Sequence, residues 1–540
     1  MGLGSSRPRR NTVQFNAIDT PDAAAVGVPI VTALGVEANA QDARAPANVP
    51  AQPQPTASAA PLTLAVSAEK IALASGDEHK FLAMLSLKAP AAPDQIERPG
   101  IDLVAVIDRS GSMQGDKMNL MKQTLELLVK RAGLKEGDRL SLVSFDREVK
   151  LELPLTGMDD TGRNAASAVV KRLHPGSTTN LSGGALKAID VLDASAASSR
   201  GWFGAGKTDD KHEGGVGRTR AIMLFTDGLA NEGIRDPAAL QAAVTTACTA
   251  ASAKLGGPIS FFTFGFGRDH NENCLRELAT ASSAGGLYYY VKSAEDIPNA
   301  FADCLGGLTS VVVQNATLSL EGLAGASVAR VLGSTYQRDA DGAINLGDLF
   351  AEDEKDILIE LSVPTLSAPA AAAGVLRASL RAFNVVLGAP DAVSATLELA
   401  RPLATPADQP VNQALDAQRN RIQMAESIEE AARLADMGNL AAGRQILHAA
   451  QRRVATSDSA GCALSSNLVA ESEALVANYS SEMQYRSVGS KMSKMSAMSH
   501  GRQRANHMQS ADMYAGGSKR KASMKAKWMS SLAGDDSDSE

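Results

Sequence analysis

Cysteine is scarce: Cys248, Cys274, Cys304 and Cys462 are the only four in 540 residues, and none forms a Cys-x-x-Cys pair. That spacing excludes a zinc ribbon and a dithiol redox motif and supplies no disulfide framework, so reduced thiols inside a cell are expected. Histidine is as thin, with seven scattered residues and no ligand-spaced group. Aromatics make up only 4% of a chain that is 44% hydrophobic, so Ala, Val and Leu have to fill most of the interior. Positive charge is not in excess either. The formal net charge of -7 argues against a general nucleic-acid binder. No apolar run reaches the length of a membrane-spanning helix, and no signal-peptide apolar stretch stands at the start. A cytoplasmic protein of two to four domains is the expectation.

What is present centres on Ile101-Asp-Leu-Val-Ala-Val-Ile-Asp-Arg-Ser-Gly-Ser-Met113. Leu103 to Ile107 is short, β-branched and apolar at both parities, the pattern of a strand buried on both faces of a sheet. The polar loop after it places Asp108, Ser110 and Ser112 at alternate positions. Met118, Met121, Leu125, Leu128, Val129 and Ala132 then recur at helical spacing. One carboxylate and two hydroxyls at a strand's carboxyl end, before a helix, suit a small hard cation. In an open α/β sheet that edge is where ligands bind.

Two further stretches sharpen this reading. Pro175-Gly-Ser-Thr-Thr-Asn-Leu-Ser-Gly-Gly184 puts threonine in a glycine-bounded loop, and Ala221-Ile-Met-Leu-Phe-Thr-Asp-Gly228 is a second buried strand ending in an acid. Together the three stretches resemble the von Willebrand factor A family and its metal-ion-dependent adhesion site, over roughly residues 98 to 308. The resemblance implies that Asp108, Ser110 and Ser112 form one ligand cluster, Thr179 the second and Asp227 the third. Thr178 is the adjacent alternative to Thr179, which is preferred because family members place this threonine directly before Asn or a similar residue, here Asn180. The implied cofactor is Mg²⁺, or Mn²⁺ or Ca²⁺. The implied partner is a protein that presents an Asp or Glu to the metal.

The chain opens Met1-Gly-Leu-Gly-Ser-Ser-Arg-Pro-Arg-Arg10, which fits the N-myristoylation pattern at Gly2, with Arg7, Arg9 and Arg10 as a basic second signal for weak, reversible membrane contact. Residues 1–60 read as a disordered leader and linker rich in Ala, Pro and Gln. Within 98–308 strands alternate with helices, the signal for a parallel, doubly wound sheet, and a polar, Gly-rich insertion runs from Ser195 to Thr219. After Gly307 the periodicity becomes two, with strands at Val311–Val313, Ala316–Leu320, Ile357–Val363, Ala378–Leu387 and Ala395–Leu399. Residues 309–402 are therefore read as an antiparallel β-sandwich, completed by strands in 61–97.

Apolar stripes through Ile422 to Ala435 and Leu440 to Val454, with Gly438-Asn439 between them, predict an αα-hairpin; a further helix is expected over Leu464–Tyr485. The helical region is set at 410–490 and a disordered tail at 491–540, ending in the basic Lys519–Trp528 and an acidic terminus. Asn412 to Gln509, with Tyr485 and Ser499-His-Gly-Arg-Gln-Arg504, is similar to the C-terminal region of Hedgehog-intein-like and plant RING ubiquitin-ligase proteins that carry this domain. No RING array of cysteine and histidine is present, so ligase activity does not carry over.

The expected architecture is thus α/β plus all-β plus α: a doubly wound domain inserted in, or flanked by, an antiparallel β-sandwich, followed by a helical hairpin region. The expected function is a metal-dependent protein-binding module of an intracellular adaptor, and not an enzyme. The alternatives are a metal-independent scaffold related to ubiquitin-ligase components of this type, and a metal-assisted hydrolase. No nucleophile–base pair supports the hydrolase. Asp269-His270, after a strand end, reads as a loop.

Overall fold

A computed structural model describes residues 61–92, 98–131, 133–198, 217–227, 230–282, 285–293, 296–336, 338–504 and 513–514. Gly2 and its basic neighbours, the leader to residue 60, most of the insertion and the Lys519–Trp528 segment lie outside these residues. Strands β1 (Thr63–Ala68) and β2 (His79–Lys88) come first. An α/β region follows: β3 (Ile101–Asp108), α1 (Asp116–Arg131), β4 (Arg139–Phe145), β5 (Val149–Gly157), α2 (Asp160–Arg172), α3 (Leu181–Ser198), β6 (Thr219–Thr226), α4 (Pro237–Leu255), β7 (Ile259–Phe266), α5 (Glu272–Ala279), β8 (Tyr288–Val291) and α6 (Ile297–Leu308). Then come β9 (Val311–Gly322), β10 (Ser327–Val331), β11 (Ile344–Phe350), β12 (Glu354–Val363), β13 (Ala370–Asn384) and β14 (Ala389–Arg401). The helices α7 (Gln413–Asp436), α8 (Leu440–Ala455), α9 (Ala463–Ala477), the short α10 (Glu482–Gln484) and α11 (Ser490–Arg502) end the described chain.

The α/β region forms a six-stranded sheet in the order β5-β4-β3-β6-β7-β8. Every residue of β3 and β7 is buried, as strands covered by helices on both faces require. The few aromatics are concentrated here: Phe264 stacks on Phe225, Tyr289 and Phe301 with ring centres 5.0, 4.9 and 4.6 Å apart. α4 shows how local sequence sets the helices around the sheet. Asp236 caps its first turn by accepting from the Ala239 N–H, Pro237 starts it, and Gly256 ends it in the left-handed region at φ +68°.

The sheet is mixed, which corrects the expectation of an all-parallel one. β5 runs antiparallel to β4, because the turn at Asp146–Glu148 is too short for a crossover. β5 went unread in the sequence, since its edge position leaves it mostly part-exposed and its alternation weak.

Two four-stranded antiparallel sheets accompany it, ordered β1-β2-β12-β10 and β11-β9-β13-β14. β2 pairs with β12 from His79 opposite Val363 to Lys88 opposite Glu354, so the α/β region is inserted between strands of one sheet. Phe81 and Leu85 from one sheet and Leu318 and Leu380 from the other enter the same apolar cluster. β10 and β11 were not anticipated; β10 is short and its side chains are largely exposed, which leaves little apolar pattern to read. Among the described residues no helix is long and apolar enough to cross a membrane.

α7 and α8 form a hairpin whose turn holds Gly438 at φ +88°. Beyond them the sequence reading needs two corrections. The helix expected to reach Tyr485 stops at Ala477, and residues 491–502, assigned to a disordered tail, belong to a buried helix that starts at Ser490. Ser493, Ser496, Ser499 and His500 of α11 are all fully enclosed. Its polarity misled because its partners are polar too: Tyr479 Oη lies 2.9 Å from Ser493 Oγ, Ser496 Oγ donates to Glu471 at 2.6 Å, and Lys494 Nζ donates to Asp436 at 2.8 Å. On its other side α11 covers the edge strand β8, where the Tyr288 and Tyr290 N–H groups meet the Met498 and Met495 sulfurs at 3.2 and 3.5 Å.

Candidate metal centre

Parallel neighbours end at the same edge of a sheet, and β3 and β6 are such neighbours, with Ile107 opposite Phe225. This brings Asp108, the last residue of β3, beside Thr226 and Asp227. Asp108 is fully buried. Its Oδ1 accepts from the Ser110 N–H at 2.8 Å, and its Oδ2 accepts from Thr226 Oγ1 at 2.5 Å. Ser110 Oγ and Ser112 Oγ stand 3.0 Å apart.

The threonine loop is stitched to this first loop through backbone. Gly111 N–H donates to Ser177 O at 2.7 Å, and Gly176 N–H donates to Arg109 O at 2.5 Å. A Cβ at Gly176 would lie 2.0 Å from Asp146 Oδ2, so only glycine fits there. Asp146 anchors both loops: it pairs with Arg109 at 3.0 Å, and its carbonyl accepts from the Asn180 N–H at 2.8 Å. The segment after Asp227 holds Thr179 from the other side, with Thr179 N–H on Asn231 Oδ1 at 2.6 Å and Thr179 O accepting from Asn231 and Glu232 N–H at 3.1 Å each.

The two threonines differ in their hydroxyls. Thr178 Oγ1 donates to Glu232 at 2.9 Å, whereas the Thr179 hydroxyl makes no hydrogen bond among the described residues although Thr179 is only 2% exposed. Asp227 is fully buried, and its Oδ2 lies 3.2 Å from Lys117 Nζ. The structure thus gathers Asp108, Ser110, Asp227 and Thr179 at one sheet edge under burial and leaves Ser112 exposed beside them.

Burial, and after it the charge of Asp227, pushes the Asp108 carboxyl up to about 6, against the hydrogen bonds from Ser110 and Thr226. The donors are hard oxygens only, two carboxylates and three hydroxyls. Among the described residues no group of three or more His, Cys, Asp or Glu offers another centre. Such a set suits Mg²⁺, Mn²⁺ or Ca²⁺ rather than a soft metal. The Lys117 ammonium beside Asp227 shows that this carboxylate already draws a cation. The residues present therefore fit a hard divalent ion.

Sequence reasoning missed Lys117, Thr226, Asp146 and Asn231. Asp146 carried a readable signal, since it follows β4 as Asp227 follows β6.

Asp269 and His270 part company. Asp269 reaches Lys117 at 2.8 Å, while His270 is buried away from the loops, its Nδ1 donating to Gly267 O at 2.7 Å and its Nε2 accepting from Tyr288 Oη. Burial first, then the Lys491 charge, lowers His270 to about 4, although the Gly267 carbonyl, Glu272 and Asp269 pull the other way. A histidine held neutral stabilises the fold above its unfolded value, and that contribution is lost as pH falls from about 6.5 toward 4. Asp108 and Asp348, both raised to about 6, act with the opposite sign, so the wild type alone is a poor readout. The difference in stability between wild type and His270→Gln is expected to change by on the order of 2 kcal/mol across that window. Chemical denaturation at a series of pH values checks it; a difference independent of pH would contradict the assignment.

An open α/β sheet with helices on both faces, carrying two buried carboxylates at the carboxyl ends of β3 and β6 with the Thr179 loop beside them, is a domain of the doubly wound class. Residues 102–303 match the family model of the von Willebrand factor type A domain, and the chain carries such a domain. The E3 ubiquitin-protein ligase WAV3 of Arabidopsis thaliana is 27% identical over 280 residues, 50% of this chain and 32% of that protein. The inter-alpha-trypsin inhibitor heavy chain H3 of Mus musculus is 32% identical over 180 residues, 33% of this chain and 18% of that one. Among solved structures, a von Willebrand factor type A protein from Catenulispora acidiphila superposes with a TM-score of 0.57 at 17% identity, covering 79% of this chain and 90% of that chain, a likeness of fold. The chain spans about a third or less of the length of these two curated relatives.

Proposed function

We propose that the von Willebrand factor A domain, residues 98–308, is a divalent-cation-dependent protein-binding module. In this reading Asp108, Ser110, Ser112, Thr179 and Asp227 hold Mg²⁺, or Mn²⁺ or Ca²⁺, and an Asp or Glu of a protein partner completes the coordination. The observation that carries it is the buried carboxylate pair, in which burial and then the Asp227 charge raise Asp108 to about 6. Two dehydrated carboxylates side by side favour a cation between them. The bound ion would supply a hard positive centre that two carboxylates only partly neutralise. The chain's own residues orient the site: Thr226 and the Ser110 N–H fix Asp108, and Asn231 and Glu232 fix Thr179.

The rest of the chain serves this domain as its support. We take the two antiparallel sheets as the faces of one sandwich, a reading supported by the single apolar cluster they share. The helical region is taken as a third unit, extended from the boundary at 490 through α11.

A binding role, and not catalysis, is the proposal. The ligase activity in the relatives' names belongs to proteins of which this chain spans about a third. Their likeness supports a second reading, a metal-independent scaffold related to such ligases. Capture of partners by the full chain in Mg²⁺ and in chelator separates the two. Partners lost in chelator, and lost equally from Asp108→Ala, are the expected result. Partners retained in both would favour the scaffold.

A further inference from the structure

The site already holds a cation of its own. Lys117 lies in the first turn of α1, where the helix dipole disfavours positive charge. Its Nζ lies 3.2 Å from Asp227 Oδ2 and 2.8 Å from Asp269 Oδ1. The two carboxylates differ in one respect: the Asp227 side chain is fully buried, while that of Asp269 is 62% exposed. The path of the lysine is also built. A Cβ at Gly267, which sits at φ +77°, would lie 2.6 Å from Lys117 Cε, so a glycine keeps this passage open.

We propose that Lys117 is the resident cation of the candidate metal centre: it occupies Asp227 in the metal-free protein and withdraws onto Asp269 when a divalent ion takes Asp227. The inference rests on the metal reading above and adds what sets the site's affinity. Lys117 neutralises a buried carboxylate beside Asp108, so it stabilises the metal-free protein and competes with the ion. Asp269 does the reverse. It retains the displaced ammonium near solvent and so lowers the cost of the exchange. A structural tie between α1 and the loop after β7 would give the two variants the same sign. The exchange gives them opposite signs.

The test uses the full chain, with Mn²⁺ and Mg²⁺ binding by calorimetry and thermal unfolding in chelator. Lys117→Met is expected to bind Mn²⁺ about tenfold tighter or more, about 1.4 kcal/mol, and to melt lower than wild type in chelator. Asp269→Asn, a change at an exposed side chain, is expected to bind more weakly than wild type. Binding by Lys117→Met but not by wild type would also support the exchange. If wild type binds and Lys117→Met binds equally or more weakly, Lys117 is not a competitor and the inference fails by itself. If neither binds, the metal reading fails and takes this inference with it.

Discussion

Asp108→Asn is expected to abolish divalent-cation binding and to leave the metal-free protein at least as stable as the wild type. The first effect follows from the donor set, because losing one of two carboxylates should weaken binding by roughly 100-fold or more, beyond what loss of a supporting group costs. The second follows from the environment. Asp108 is buried at the end of β3 and its carboxyl is pushed up to about 6, so folding bears a cost to keep it ionised at neutral pH. An asparagine keeps an acceptor for the Ser110 N–H and a partner for Thr226 and removes the repulsion with Asp227. Sites that store such cost are where function is held at the expense of stability. Calorimetry with Mn²⁺ and thermal unfolding in chelator read the two effects separately. Retained wild-type affinity would rule out Asp108 as a ligand, and a large loss of stability in chelator would mean that Asp108 serves the fold instead.

How much of this was legible depended on whether a residue's role was local. The Asp108 and Asp227 loops were readable because each follows a buried strand at once, and an apolar run followed by Asp is visible in one dimension; the Thr179 loop, between α2 and α3, was readable only through its glycines and the resemblance. The burial of Asp108 was harder to see: a carboxylate in a loop reads as solvated, and only the register of β3 on β6 encloses it. Lys117 was illegible because its meaning depends on Asp227 and Asp269, 110 and 152 residues away. The tail boundary failed for a related reason. Ser, Met and Lys at 490–499 satisfy a low-complexity reading, yet Ser493, Lys494 and Ser496 are matched by polar groups on other elements, which leaves little apolar periodicity to mark a buried helix.

That helix makes the second large expected effect. α11 is packed against all three parts of the chain. Glu272 of α5 accepts from Ser490 and pairs with Lys491 and Lys494, each at 3.3 Å. Gln503 donates to and accepts from the Asp356 backbone of β12, at 2.9 Å each way. Arg421 of α7 donates to His500 O. Burial acts to raise Glu272, but the Lys494 charge, the Ser490 hydroxyl and the Lys491 charge outweigh it and hold the carboxyl at about 2. Its contribution is therefore complete above about pH 4.5 and lost as pH falls toward 2.

At neutral pH, Glu272→Ala leaves Lys491 without its carboxylate and Lys494 with Asp436 alone, both under burial. Breaking such a pair costs about 3–5 kcal/mol, against a net stability of about 5–15 kcal/mol for a typical domain. Ending the chain after Gly489 removes more. Met495 and Met498 each contribute about 2 kcal/mol by burial, and the charge-assisted bonds add about 1.5–3 kcal/mol apiece. The β8 edge is uncovered as well. The shortened chain is expected to lose its cooperative unfolding transition in calorimetry and to be cut by protease within the α/β region, while Glu272→Ala unfolds cooperatively at a lower temperature. A shortened chain that melted like the full one would show that α11 rests on a structure already complete without it.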